Sequence, residues 1–82
     1  MQHVVITGAN RGIGLELARL YAARGYRVTG VCRESSVSLD EVASSVLTCI
    51  DVTAEADVAR LTELLAGQEI HLLINNAGLL QD

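Results

Sequence analysis

Three glycines near the start of the chain are spaced so that they could hold a phosphate group. Gly8, Gly12 and Gly14 follow a β-branched run and precede a helical pattern. In that setting the first glycine permits a sharp turn, the second lets a phosphate approach the backbone, and the third lets helix and strand pack closely. The amino end of the helix adds free N–H groups and a positive partial charge. The spacing therefore indicates a pyrophosphate site between the first strand and the first helix.

The order of the predicted elements places this glycine loop in an α/β fold. Apolar, β-branched segments predict four strands, over residues 3–7, 27–32, 46–50 and 70–75. Helical patterns alternate with the strands and begin at Gly12, at about Leu39 and after Thr53. Such alternation predicts one parallel sheet with helices packed on it. We expect a Rossmann-like, doubly wound sheet with strand order 3-2-1-4 as far as the chain runs, with the remainder of the sheet missing.

The residue pattern also predicts which positions are buried and where the later helices begin. Helical spacing predicts a core-facing stripe on the first helix, made up of Ile13, Leu17, Leu20, Tyr21 and Arg24. It predicts a second stripe on the third helix, made up of Val58, Leu61 and Leu65. A capping box that starts at Ser38 predicts a short helix over residues 39–44, and Thr53 is expected to cap the third helix. Leu72 to Ile74 should be buried on both faces of the sheet.

Composition and charge exclude several classes of function. The chain has 82 residues with 6 basic and 10 acidic side chains, a net charge of −4, and every basic residue is Arg. An acidic chain is a poor candidate for nonspecific binding to nucleic acid or to an anionic membrane. The absence of Lys excludes a Walker phosphate loop and a lysine Schiff base. The apolar start is too short for a signal peptide or a membrane span, so we expect a cytoplasmic protein.

The cysteines and histidines do not form a recognisable metal or redox motif. Cys32 and Cys49 are 17 positions apart, without a C-x-x-C pattern or a paired histidine motif. The pattern predicts two buried, small hydrophobic residues rather than a disulfide, a metal site or a nucleophile. His3 and His71 lie at the starts of neighbouring predicted strands, and no metal site is expected there.

Three motifs together resemble those of the short-chain dehydrogenase/reductase family. They are T-G-x-x-x-G-x-G over residues 7–14, Asp51-Val52 after the third predicted strand, and Asn75-Asn76-Ala77-Gly78 after the fourth. Their order and spacing are similar to the family pattern across residues 7–78. The resemblance implies that residues 1–82 are the N-terminal part of a single dinucleotide-binding (Rossmann) domain.

The resemblance also implies a role for each residue that matches a motif. The implied cofactor contacts from the motifs are Gly8, Asn10, Arg11, Gly12, Ile13, Gly14, Asp51, Val52, Asn76, Ala77 and Gly78. The glycine-loop residues would line the diphosphate and the adenosine ribose, the Asp-Val pair would meet the adenine ring, and the last three would flank the nicotinamide ribose. Asn75 resembles an asparagine that ties the fourth strand to Thr7.

The residues after the second strand favour NADP(H) over NAD(H) as the cofactor. An NAD site needs an acid there to accept hydrogen bonds from the ribose hydroxyls, and the family register places Cys32 at that position. Arg33 follows it and Arg11 lies in the glycine loop, and two guanidinium groups suit a 2′-phosphate. The alternative is an NAD site in which Glu34, 20 residues after Gly14, supplies the carboxylate that accepts hydrogen bonds from the ribose hydroxyls.

The resemblance implies an oxidoreductase whose catalytic residues lie outside these 82 residues. Relatives use a Ser, a Tyr-x-x-x-Lys pair and a helical Asn, all beyond the fourth strand. Tyr21 and Tyr26 lie near the first helix, so no catalytic residue is predicted in this chain. The implied function is transfer of a hydride between nicotinamide and the carbonyl or alcohol group of a small-molecule substrate, by a protein that is a homo-oligomer, a dimer or tetramer, at full length. The alternative is a non-catalytic dinucleotide-binding or redox-sensing module.

Overall fold

The computed structural model describes residues 1–77 as alternating strands and helices. The strands are β1 (His3–Thr7), β2 (Arg27–Val31), β3 (Ser45–Leu47) and β4 (Leu72–Asn75). The helices are α1 (Gly12–Ala23), α2 (Val37–Val42) and α3 (Glu55–Leu65).

The four strands form one parallel sheet in the order β3-β2-β1-β4, which confirms the predicted fold. Thr7, at the end of β1, is level with Val31 in β2 and with Asn75 in β4. Val31 is in turn level with Leu47, the last residue of β3. All four strands therefore end at the same edge of the sheet, and the loops that follow them meet there.

The central strand β1 forms the middle of the core. All five of its residues are buried. Val4 and Ile6 belong to a cluster under α1 and α2, whereas Val5 belongs to a second cluster under α3. A strand that is covered on both faces needs an almost continuous apolar run rather than an alternating one, and that is what β1 has.

Small residues bring α1 close to the sheet. Gly14 and Ala18 are its buried residues, and Leu17 and Tyr21 are partly buried against the core. The members of the predicted stripe that are exposed instead are Ile13, Leu20 and Arg24. The prediction is wrong at these three positions because the face that meets the sheet is centred on small side chains, which allow a close approach, rather than on the large aliphatic ones.

The starts of α2 and α3 differ from the predicted caps. Ser36, not Ser38, is the N-cap of α2, and its hydroxyl accepts a hydrogen bond from the Leu39 N–H at 3.1 Å. The N-cap of α3 is Ala54, which makes no side-chain capping bond. Thr53 does not cap α3, because its hydroxyl is used in the turn that precedes the helix.

The predicted strand ends are too long at three places. β2 lacks Cys32, β3 ends at Leu47, and β4 begins at Leu72. Beyond β3 the chain bends, and Cys49 adopts a φ of 61° and donates its N–H to the Arg33 carbonyl at 2.9 Å. Cys49 is exposed, so the prediction of two buried cysteines is correct only for Cys32.

The outer strand β4 and helix α3 are less buried than the sequence pattern predicts. Leu73 is 61% exposed, Leu72 and Ile74 are only partly buried, and α3 contains no buried residue. Among residues 1–77, β4 pairs with β1 alone, so its other edge presents unpaired N–H and C=O groups. The prediction fails because full burial of β4 requires a further strand and helix beside it, which residues 1–77 do not supply.

We expect residues 1–82, when produced as a separate molecule, to self-associate instead of forming a stable monomer. The open edge of β4 can pair with another chain. Association would also bury the exposed apolar area of Leu73, and burial of such area contributes about 25 cal/mol for each Å². Size-exclusion chromatography with light scattering and a thermal scan test this expectation. A monodisperse monomer that unfolds cooperatively above about 50 °C would show that the outer strand needs no partner.

Candidate functional site

A cavity of about 380 Å³ opens at the carboxyl edge of the sheet, among the glycine loop and the segments that follow β2, β3 and β4. The residues predicted from the sequence that line it are Gly8, Asn10, Arg11, Gly12, Ile13, Arg33, Asp51, Val52, Asn76 and Ala77. Gly14 does not line the cavity, and Gly78 lies outside the described residues. The structure thus brings together residues from four separate segments of the chain.

Four further residues line the cavity: Val31, Cys32, Ile50 and Thr53. The family register already places Cys32 there, at the position of the acid of an NAD site, whereas the sequence assigned the other three no role. All four belong to the carboxyl ends of β2 and β3 or to the turns that follow. Since ligands of open parallel sheets bind outside the carboxyl ends of the strands, position along the strand is the signal that could have identified them.

The glycine loop is anchored to the neighbouring strand at its start. Gly8 adopts a φ of 63°, in the left-handed region that glycine tolerates best. The N–H groups of Gly8 and Ala9 both approach the Val31 carbonyl oxygen, at 2.8 and 3.4 Å. These bonds turn the chain sharply away from β1 and hold the first part of the loop at the end of β2.

The amino end of α1 supplies donors to the cavity. Arg11 is the N-cap, and its carbonyl accepts the first bond of the helix, from the Leu15 N–H at 3.3 Å. The N–H groups of Gly12 and Ile13 come before that bond, so the helix itself provides no acceptor for them. Both residues line the cavity. An anion in the cavity would meet these donors and the positive end of the helix dipole.

Gly14 allows α1 to lie directly on the loop. A Cβ atom at this position would be 2.1 Å from the Gly8 oxygen and 2.7 Å from Nδ2 of Asn76. Asn76 is buried and donates from Nδ2 to the same Gly8 oxygen at 3.2 Å. The third glycine is therefore required for the close packing of α1 on the loop.

The turn after β4 is tied to the end of β1. The Thr7 hydroxyl donates to Oδ1 of Asn75 at 2.9 Å and accepts from the Ala77 N–H at 3.2 Å. This contact between Thr7 and Asn75 is the one that the sequence resemblance predicts. It holds the Asn76–Ala77 turn beside the glycine loop.

Asp51 organises the turn that follows β3. Its Oδ1 accepts from the Thr53 hydroxyl at 2.6 Å and from the Thr53 N–H at 2.9 Å, and its own N–H donates to Asp57 at 2.9 Å. The hydroxyl bond, then the backbone bond, lower the pKa of Asp51, and the charge of Arg33 lowers it further. Asp51 is therefore ionised at neutral pH, and its bonds to Thr53 hold its carboxylate in place.

The residues after β2 present a cation and a neutral thiol to the cavity. Arg33 is exposed and lines the cavity, whereas Glu34 is exposed and does not line it. Burial raises the pKa of the Cys32 thiol, and the nearby Asp40 and Cys49 raise it further. Cys32 consequently stays protonated at neutral pH and is a poor nucleophile.

The opposite edge of the sheet contains the two histidines. The His3 N–H donates to Nδ1 of His71 at 3.0 Å, and Nε2 of His3 lies 2.6 Å from the Thr29 hydroxyl. Within residues 1–77, no group of three or more His, Cys, Asp and Glu side chains could hold a metal ion. In the same part of the chain no helix is long and apolar enough to cross a membrane.

In the complete protein, as its reading frame encodes it, we expect Gly14→Val to lower the free energy of unfolding by about 1–3 kcal/mol, because the new side chain overpacks the contact with the Gly8 oxygen. Chemical denaturation monitored by circular dichroism measures the change. Gly67→Ala is the matched control, since Gly67 has a φ of 80° but nothing within 4 Å of its Cβ position. The control should lose only the free energy that an alanine side chain costs in the left-handed region. Equal stabilities of Gly14→Val and the parent would show that α1 is not seated on the loop.

Comparison with known proteins assigns the chain to a family. A family model described as short chain dehydrogenase matches residues 2–82. Retinol dehydrogenase 12 of Homo sapiens is 40% identical to this chain, over 94% of this chain and 28% of that protein. The (+)-neomenthol dehydrogenase of Arabidopsis thaliana is 33% identical to this chain, over 95% of this chain and 31% of that protein. The chain thus spans less than a third of the length of either relative.

A solved structure agrees with the sequence comparison. The bulky-bulky ketone specific alcohol dehydrogenase of Comamonas testosteroni superposes with a TM-score of 0.78 at 33% identity, over 100% of this chain and 38% of that one. The strand order, the motifs and these similarities lead to one conclusion: the chain belongs to the short-chain dehydrogenase family.

Proposed function

We propose that residues 1–82 are the cofactor-binding part of a longer NADP(H)-dependent oxidoreductase. They would form the N-terminal part of a single dinucleotide-binding domain. One observation carries the proposal: the glycine loop, the Asp51-Val52 pair and the Asn76–Ala77 turn line one cavity at the carboxyl edge of the sheet. In open parallel sheets this edge is where dinucleotides bind.

The residues of the cavity suit a dinucleotide. A Cβ atom at Gly8 would be 3.1 Å from both the Ala77 backbone and Nδ2 of Asn76. Glycine avoids these close contacts and leaves the backbone of the loop accessible to a ligand. The Asn76 side chain is buried, and its Oδ1 has no hydrogen-bond partner among the described residues. A ribose hydroxyl of the ligand would satisfy such an acceptor, since buried acceptors without partners are rare.

Each segment would hold a different part of the cofactor. We assign the diphosphate to the N–H groups at the start of α1, the adenine ring to Asp51 and Val52, and the nicotinamide ribose to Asn76, Ala77 and Gly78. The bound nicotinamide supplies or accepts the hydride. The residues of this chain bind and orient it, and none of them is assigned a catalytic role.

The charges around the end of β2 favour NADP(H). Arg33 and Arg11 both line the cavity, and a 2′-phosphate suits guanidinium groups. Glu34 would be the ribose acid of an NAD site, but it does not line the cavity. Cys32, at the position where the family places that acid, is a buried neutral thiol that cannot replace a carboxylate.

The reaction that we propose is reversible hydride transfer between nicotinamide and the carbonyl or alcohol group of a small-molecule substrate. The relatives named above are dehydrogenases of retinol and neomenthol and an alcohol dehydrogenase specific for bulky ketones. The Ser and the Tyr-x-x-x-Lys pair of such an enzyme would lie after residue 82. We further propose a cytoplasmic homo-oligomer, a dimer or tetramer, at full length.

Expression of the complete reading frame tests this function. We expect a Tyr-x-x-x-Lys pair downstream and oxidation of NADPH, measured by the loss of its absorbance, with at least one member of a panel of aldehydes and ketones. A protein that binds NADPH but has no such pair and turns over no carbonyl would be the alternative, a non-catalytic binding module. A protein that binds neither NADPH nor NADH would contradict both functions.

The cofactor preference depends on Arg33. In the complete protein, we expect Arg33→Asp to weaken the binding of NADPH relative to NADH by about 1–3 kcal/mol, because a contact to phosphate is replaced by a repulsive carboxylate. Fluorescence titration with both cofactors gives the ratio of the dissociation constants. Arg27→Asp is the matched control, since it makes the same change of charge at the opposite end of β2 and should leave the ratio unchanged. If Arg33→Asp leaves the ratio of the NADPH and NADH dissociation constants unchanged, Arg33 does not make the proposed contact to the 2′-phosphate.

A further inference from the structure

We propose that Ser36 is a positioning residue, which holds the glycine loop in its binding shape and thereby sets the affinity for the dinucleotide. This inference rests on the proposed function of the cavity. Ser36 lies outside all three family motifs and does not line the cavity. It would therefore act on the ligand only through the loop.

Ser36 joins two segments that are 26 positions apart in the chain. Its hydroxyl accepts a hydrogen bond from the Leu39 N–H at 3.1 Å, which caps α2, and donates one to the Asn10 carbonyl oxygen at 2.7 Å. A hydroxyl group has one donor and two acceptor sites, so both bonds can exist at once. The first bond belongs to the helix, and the second links the helix to the glycine loop.

The bond to Asn10 fixes the orientation of one peptide group in the loop. In a planar trans peptide the Asn10 carbonyl and the Arg11 N–H point in opposite directions. When Ser36 holds the carbonyl, the Arg11 N–H must face away from α2. Arg11 is also the N-cap of α1, so the same peptide group determines how the helix begins at Gly12.

Ser36 is itself held on a rigid support. Leu39, one turn into α2, is fully buried against the sheet. A Cβ atom at Gly30 would lie 2.9 Å from two carbon atoms of that leucine, so α2 packs directly on β2. Ser36 thus anchors the loop at Asn10, in addition to the bonds that the Val31 carbonyl and Nδ2 of Asn76 make at Gly8.

Capping of α2 does not require the bond to Asn10, and substitutions can separate the two roles. Alanine removes both the cap and the link, whereas glycine removes the link but remains an acceptable N-cap. Threonine keeps both hydrogen bonds. If the link sets affinity, alanine and glycine should weaken binding equally. If the cap sets affinity, alanine should weaken it much more than glycine.

Titration of the complete protein, as its reading frame encodes it, with NADPH and with NADH distinguishes these roles. We expect Ser36→Ala and Ser36→Gly each to raise both dissociation constants about tenfold, which corresponds to one hydrogen bond of about 1.4 kcal/mol. Because the loop holds the part that both cofactors share, the ratio of the two constants should not change. Ser36→Thr should bind as tightly as the parent.

Ser35→Ala is the matched control. The Ser35 hydroxyl donates to Asp40 at 2.6 Å in the same part of the chain, and no bond joins it to the glycine loop. We expect this variant to bind both cofactors as the parent does. If Ser36→Ala does not fold, Ser36→Gly still gives the result, because α2 keeps a cap.

Three results would overturn the inference alone: parental affinity in Ser36→Gly, a much larger loss for alanine than for glycine, or an equal loss in Ser35→Ala. In each of these the parent protein still binds a dinucleotide, so the proposed function stands. A parent protein that binds neither cofactor would instead contradict the proposed function, and this inference with it.

Discussion

The carbonyl oxygen of Gly8 is the point at which β1, α1 and the turn after β4 meet. Gly14 must lack a side chain because a Cβ atom would be 2.1 Å from this oxygen, and Asn76 donates to the same atom at 3.2 Å. Because protein interiors are close-packed, there is no space for an additional atom at such a contact. The amino end of α1 can therefore face the cavity only because Gly14 allows the helix to touch the end of the first strand.

An acidic chain must bind an anionic ligand by local rather than overall charge. The net charge of −4 gives no long-range attraction for a dinucleotide. The cavity offsets this with Arg11, Arg33 and the N–H groups at the start of α1, all within one region of the surface. Asp51 belongs to the same region, and Arg33 helps to keep it ionised. Since exposed charges more than about 10 Å apart are largely screened at 0.1 M salt, this local arrangement matters more than the total.

The parts of the site that could be predicted are those that follow from the glycine spacing, from the alternation of strands and helices, or from the family resemblance. The spacing predicts the loop, the alternation predicts the parallel sheet and its strand order, and the resemblance predicts the contact between Thr7 and Asn75. Ser36 could not be predicted in this way, because its bond to Asn10 depends on how α2 packs against β2. The burial predicted for Leu73 is wrong for a related reason, since the burial of an outer strand depends on its neighbours and not only on its own apolar residues.

The central claim is that the cavity at the carboxyl edge of the sheet binds a dinucleotide through the start of α1. Backbone amide NMR signals of the complete, ¹⁵N-labelled protein, recorded during addition of NADPH, test this claim most directly. The signals of Gly12, Ile13 and Asn76 should shift together and saturate, while those of His3 and His71 at the opposite edge should stay in place. Absence of any shift, or shifts confined to the signals of His3, His71 and their neighbours, would contradict the account.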